Sequence, residues 1–75
     1  MKQIANHLDN DLTDAFNRDE RFVARFFGVD LETVRGWRKR GVGPRYIRPG
    51  GRLVKYSLTS LRDWADRQPG GGQAA

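Results

Sequence analysis

The sequence lacks cysteine, which excludes disulfides, thiolate chemistry and zinc or iron held by sulfur. It has one histidine, His7, which is too little for a histidine-based metal site. The longest apolar runs are two or three residues, so we expect no membrane span and a cytoplasmic location. A nucleophile paired with a base and a glycine-rich phosphate loop ahead of a lysine are also missing, so we expect no enzyme, no metal and no cofactor.

Acidic residues are missing from the middle of the chain, and basic residues are concentrated there. The net charge of the 75 residues is +5, but residues 1–32 hold seven acidic and four basic side chains. Residues 33–62 hold no acid and nine cations: Arg35, Arg38, Lys39, Arg40, Arg45, Arg48, Arg52, Lys55 and Arg62. Such segregation is typical of nucleic-acid binding, because cations that neutralise phosphates release condensed counterions. A solvated basic face would have the same composition.

Two short helices with a tight connection are predicted first. Asn17 and Glu20 have the spacing of a capping box, and the apolar residues that follow recur at helical spacing before Gly28 ends the helix. Asp30 can cap the next helix, which ends at Gly41. Helices joined by so short a turn indicate a helix-turn-helix.

A hairpin and a last helix follow. Strands are predicted at Tyr46–Arg48 and Leu53–Tyr56 on either side of Pro49-Gly50-Gly51, leaning on the helices through Ile47, Val54 and Tyr56. Ser57 or Thr59 caps the last helix, whose apolar stripe is Leu58, Leu61, Trp64 and Ala65. The predicted fold is therefore mainly α with a small β-hairpin, a winged helix-turn-helix.

The expected organisation is an acidic helical extension at 1–16, a winged-helix DNA-binding domain at 17–67 and a disordered glycine-rich tail at 68–75. The extension either thickens the core or offers a self-association surface. The aromatic residues Trp37, Trp64, Tyr46 and Tyr56 could stack on single-stranded bases, but their spacing favours core packing.

The second helix is the predicted reader of base edges in the major groove. Arg35 is the best candidate, since a guanidinium can bond to O6 and N7 of guanine, whereas Glu32 either accepts from cytosine or only favours the helix N-terminus. The wing cations are suited to the minor groove or the backbone, or they only solubilise an edge strand. The predicted contacts of the helix are Glu32, Thr33, Arg35, Gly36, Arg38, Lys39 and Arg40, and those of the wing are Arg45, Arg48, Gly50, Gly51, Arg52 and Lys55.

The run from Val23 to Trp64, with TVRGW, GVGPRYIRPGGRLVKY and SLRDW in order, resembles the MerR-like winged-helix domains of small excisionases and related regulators of phages and mobile elements. The resemblance implies that Asp30–Lys39 form the recognition helix. It also implies that the wing is formed by Arg48, Gly50, Gly51, Arg52 and Lys55. Leu31 stands where the family usually has a polar or basic residue, and Gly36 where an arginine often contacts DNA.

The resemblance also implies a function. An excisionase, or recombination directionality factor, binds and bends attachment-site DNA and directs integrase toward excision. The expected partners are then double-stranded DNA, a phage integrase and adjacent copies of the chain. The expected location is the nucleoid of a bacterial host. The length favours this role over that of larger MerR regulators. The alternative is a small transcriptional regulator that uses the same DNA-binding surface. Two further alternatives belong to other functional classes: a protein-interaction module and an RNA-binding protein.

Overall fold

The computed structural model describes residues 14–70 of the chain. Its helices are α1 (Glu20–Phe27), α2 (Leu31–Lys39) and α3 (Leu58–Asp66). Between α2 and α3, strands β1 (Tyr46–Ile47) and β2 (Lys55–Tyr56) form an antiparallel hairpin, with one 3-10 turn at Pro49–Gly51 as its tip. The predicted extension at 1–16 and the tail at 68–75 lie mostly outside the described residues.

The N-cap of α1 lies two residues after the predicted cap. Asp19, not Asn17, is the N-cap, and its Oδ1 accepts the Phe22 N–H at 2.9 Å. The predicted capping box is therefore wrong: Arg18 is held in an extended pairing with Tyr56, so the helix can start only after it. Gly28 ends α1 as predicted, with φ +67° in the left-handed region that glycine adopts without strain.

Helix α2 begins where Asp30 predicted it, although the Asp30 side chain makes no capping hydrogen bond. It ends at Lys39, just before Gly41. Val34 is fully buried and Trp37 is half-buried, so both lie on the core side of α2. The opposite side, with Glu32, Arg35 and Lys39, is exposed. Of the predicted DNA contacts on α2, these three are thus exposed to solvent.

The hairpin is shorter than predicted and is tied to α1. Tyr46 pairs with Tyr56 and Ile47 with Lys55, so the two tyrosines share one face and Ile47 lies on the other. Tyr56 is 1% exposed and Ile47 is 37% exposed, which makes the predicted packing of Ile47 on the helices wrong. Tyr56 also exchanges backbone hydrogen bonds of 2.8 and 2.9 Å with Arg18, which attaches the wing to the start of α1.

The core draws residues from every helix and from the hairpin: Val23, Ala24, Val34, Tyr56 and Leu61. Ser57 caps α3 in a reciprocal capping box with Ser60, which confirms one of the two predicted caps. Trp64 is half-buried rather than buried, because it packs in an outer aromatic layer. Its ring lies 5.3 Å from that of Phe27 and 4.7 Å from that of Trp37.

The described part of the chain is a winged helix-turn-helix: α1 and α2 form the helix pair, β1 and β2 the wing, and α3 closes the core. In the same residues, no helix has the length and apolar character needed to cross a membrane.

Candidate nucleic-acid interface

Helix α2 and the wing line one basic groove. Its walls carry six cations, one from α1, two from α2 and three from the wing: Arg21, Arg35, Arg38, Arg48, Arg52 and Lys55. We call this surface the basic groove. Lys39 joins Arg35, Arg38 and Arg48 around an adjoining depression. Side chains that are separated in sequence by the α2–β1 connection and by the wing tip are thus brought to one face.

The wing presents its cations through the turn at its tip. Gly51 N–H donates to the Arg48 carbonyl at 2.7 Å, and Gly50 has φ +68°, which an L side chain would adopt only with strain. Gly50 and Gly51 are both exposed. The Arg48 and Arg38 guanidiniums lie 5.6 and 6.0 Å from the centroid of the Tyr46 ring. This ring therefore holds one cation of the wing and one of α2 against the same surface.

Glu20, the first residue of α1, lies at the base of the basic groove and binds two of its arginines. Arg35 donates from Nε to Oε1 at 3.3 Å and from Nη2 to Oε2 at 2.7 Å. Arg38 donates from Nη2 to Oε1 at 3.0 Å and from Nη1 to the Tyr56 hydroxyl at 3.2 Å. One carboxylate thus links α1 to α2, and Arg38 links both to the wing.

These contacts shift the pKa values of Glu20, Arg35 and Tyr56. The hydrogen bond from Arg35 is the largest influence on Glu20 and lowers the pKa of that carboxyl, and burial acts in the opposite direction. The same bond raises the pKa of Arg35. Burial raises the pKa of the Tyr56 hydroxyl, although the hydrogen bond from Arg38 lowers it in part. Both arginines therefore stay charged, and Glu20 stays ionised at neutral pH.

The predicted DNA contacts on α2 differ in how far their side chains are exposed. The Arg38 side chain is only 15% exposed and is engaged by Glu20 and Tyr56, whereas the Arg35 side chain is 44% exposed. Glu32 lies beside Arg35, with 3.7 Å between its Oε2 and Nη1 of Arg35. Thr33, Lys39 and Arg40 are exposed. Among the helix residues, Arg35 thus combines exposure with a place in the basic groove, and Lys39 is exposed at the adjoining depression.

Gly36 is half-buried on α2, and its backbone is helical. A Cβ added there would meet only Nη1 of Arg40, at 3.3 Å, which is the end of a flexible side chain. Neither its own conformation nor packing against the described residues requires a glycine. Close approach to a DNA strand stays a prediction for this position.

Arg45 is separated from the other predicted wing residues. It lines a different depression with Phe16, Asp63 and Arg67, and its guanidinium lies 5.3 Å from the centroid of the Phe16 ring. Among the described residues, no cluster of His, Asp or Glu side chains could hold a metal ion.

Glu20 and Arg21 were missed as residues of this surface, and the hydrogen bond that Arg38 donates to the predicted core residue Tyr56 was missed as well. Glu20 was assigned to a cap and Tyr56 to the core, because nothing local in the sequence relates them to Arg35 or Arg38. No local signal singled Glu20 out, because it is one of seven acidic residues in residues 1–32.

A family model described as a helix-turn-helix domain matches residues 23–69. The match spans more than half of the chain, so the protein belongs to this family of DNA-binding domains, which includes excisionase-like proteins. The chain is therefore a sequence-specific DNA-binding domain. No curated protein and no solved structure matches it significantly.

Proposed function

We propose that the chain binds duplex DNA with α2 in the major groove and the wing on the adjacent backbone or minor groove, as an excisionase-type architectural protein. The observation that carries this proposal is the shared basic groove, where cations of α2 and of the wing face the same side. An α-helix with its side chains is about 10 to 12 Å across, so α2 fits into a major groove about 12 Å wide.

Arg35 is the proposed reader of a base edge, and Lys39, Arg48, Arg52 and Lys55 are the proposed phosphate contacts. Arginine forms two parallel hydrogen bonds with O6 and N7 of guanine, which specifies the base. The other cations would set orientation and affinity, since phosphates carry no sequence information.

The packing of the aromatic residues favours duplex DNA over a single strand. Phe27, Trp37 and Trp64 pack on one another at centroid distances of 4.7–5.7 Å, and Tyr56 is buried. Stacking on unpaired bases needs exposed rings. An RNA duplex would also exclude α2, because its major groove is deep and narrow.

The excisionase role rests on the resemblance of the wing and of the helix after it, and on the small number of contacts that each copy can make. Smooth bending of a DNA site by 40 to 90° costs on the order of 1 to 6 kcal/mol. One short helix and one wing supply few contacts beyond those needed for binding. Several adjacent copies would supply the remainder, as expected when DNA is bent beside an attachment site.

Footprinting on DNA that flanks the gene tests this role. Several phased, protected repeats beside an attachment site are expected, with bending that increases with occupancy in circular-permutation gel shifts. One unbent site over a promoter would overturn the excisionase role and favour the small transcriptional regulator. Binding that is insensitive to salt would contradict phosphate contact altogether.

A further inference from the structure

Glu20 is an acid in a surface that otherwise attracts phosphate. Its side chain is 23% exposed, half the exposed fraction of the Arg35 side chain, which is 44%. The carboxylate is therefore less accessible to solvent than the guanidinium that it binds. The charge of such an acid opposes DNA binding.

The way in which Glu20 holds Arg35 leaves one end of the guanidinium available. Of the five N–H groups of an arginine, Glu20 takes the one on Nε and one on Nη2. The second N–H of Nη2 and both N–H groups of Nη1 are not used by Glu20. Nη1 lies 3.7 Å from Glu32, which is beyond hydrogen-bonding distance. The end formed by Nη1 and Nη2 is the end that can bond to O6 and N7 of guanine.

Glu20 is itself held in place. Its Oε1 accepts from Arg38 at 3.0 Å, and Arg38 is anchored by the Tyr56 hydroxyl at 3.2 Å. Tyr56 is 1% exposed and belongs to the core. The support of Arg35 thus runs through Glu20 and Arg38 to a buried residue of the wing.

We propose that Glu20 is a positioning residue that holds Arg35 by its Nε side and presents the Nη1–Nη2 end to a guanine, and so determines specificity. This role rests on the proposed function. A long side chain loses rotamer freedom when it is fixed, so an arginine already held by Glu20 loses less on binding its base. The benefit is confined to the base that Arg35 reads, whereas the charge of Glu20 opposes binding to every sequence.

Three variants separate these effects. Glu20→Asp keeps the charge but shortens the side chain by one methylene, and aspartate is favoured in the first turn of a helix. Glu20→Gln keeps the length but removes the charge. Asp19→Asn is the matched control, because Asp19 also lines the basic groove, loses the same charge and keeps an oxygen that can cap α1.

The test uses a duplex selected by the parent protein from a library of random sequences and a scrambled duplex of equal length. Fluorescence anisotropy gives both affinities, and the ratio of the two is the specificity. Glu20→Asp and Glu20→Gln are expected to lower the ratio about tenfold, as for the loss of one two-bond contact with a base. Glu20→Gln and Asp19→Asn are both expected to strengthen binding to the scrambled duplex, and Asp19→Asn leaves the ratio unchanged.

A double-mutant cycle with Arg35→Ala shows whether Glu20 acts through Arg35. In that background, Glu20→Asp is expected to leave the ratio unchanged. An equal fall with and without Arg35, or a parental ratio in both Glu20 variants, would overturn the role of Glu20. In the free protein, slow exchange of the Arg35 Nε–H with water that becomes fast in Glu20→Asp gives a second readout. Equally fast exchange in the parent would contradict the proposal without any DNA.

The outcomes also distinguish this inference from the proposed function. A parent protein that enriches no sequence and binds all duplexes alike would refute sequence reading itself. A parent with a clear preference that survives in both Glu20 variants would refute the positioning role alone. Thermal melts by circular dichroism establish that each variant is folded before its ratio is interpreted.

Discussion

Removing Arg52 from the wing tests whether the wing touches DNA phosphates. Arg52 is exposed beside the wing tip and lines the basic groove, and the described residues offer it no hydrogen bond or ion pair. Arg52→Ala should therefore leave the fold intact. Each phosphate contact adds about 0.9 to the magnitude of the slope of log affinity against log salt concentration, so the slope is expected to weaken by about that amount.

The change in salt slope corresponds to a difference in affinity that titrations can measure. Between about 50 and 200 mM salt, a change of about 0.9 alters the ratio of parent to variant affinity about 3.5-fold. The parent protein has its larger advantage at low salt. Anisotropy titrations of a labelled duplex at several salt concentrations measure both slopes. Preference among major-groove sequences should stay nearly intact, because α2 is unchanged.

Two other arginines show whether position or charge alone matters. Arg62→Ala removes the same charge from an exposed site on α3 that does not line the basic groove. Its slope should stay close to that of the parent, and so should that of Arg45→Ala, because Arg45 lies over Phe16. The assignment of the wing to DNA would be refuted if the parent and Arg52→Ala had equal salt slopes. It would also be refuted if all three variants lowered the slope equally.

The other predictions concern Gly36 of α2, Trp64 of the outer aromatic layer and Glu20 of the basic groove. Gly36→Ala should raise the free energy of unfolding by about 0.5 to 1 kcal/mol in urea melts, because alanine favours a helix. The same variant should weaken DNA binding, because the added methyl group lies where a DNA strand approaches α2. An unchanged affinity for DNA would contradict this close approach. Trp64→Ala should lower the free energy of unfolding by about 2 kcal/mol, which is roughly half of what truncating a fully buried aromatic residue costs. A variant that melts like the parent would show that the outer aromatic layer adds no stability. The stability due to ionised Glu20 is present above its ordinary pKa of 4.5 and is lost as pH falls through the lower pKa of the folded state. The melting temperature of the parent should therefore fall more steeply than that of Glu20→Gln in acid, and identical pH profiles would contradict the ion pair.

Local signals in the sequence were sufficient for the order of the elements. Gly28, Asp30, Gly41 and Ser57 marked helix ends that the structure has, because a cap depends on a few neighbouring residues and on backbone dihedral angles. The charge of residues 33–62 likewise indicated a polyanion as the partner, and the match of residues 23–69 to the helix-turn-helix family agrees with it.

The start of α1 and the extent of the hairpin depended on contacts that are distant in sequence. Arg18 pairs with Tyr56, 38 positions later, and that pairing moves the cap from Asn17 to Asp19. The same register turns Ile47 toward solvent. A local pattern predicts a strand but does not determine which of its faces meets the core.

The sequence by itself determined the helix-turn-helix, the wing and the basic character of the surface, because periodicity, caps and charge are properties of short segments. Only the tertiary structure joined Glu20 to Arg35 and Arg38, and only it separated Arg45 from the basic groove. Those relations depend on the angle at which α1 packs on α2 and on the attachment of the wing to α1. Such angles are set by how the buried side chains fit together, and no run of neighbouring residues encodes them.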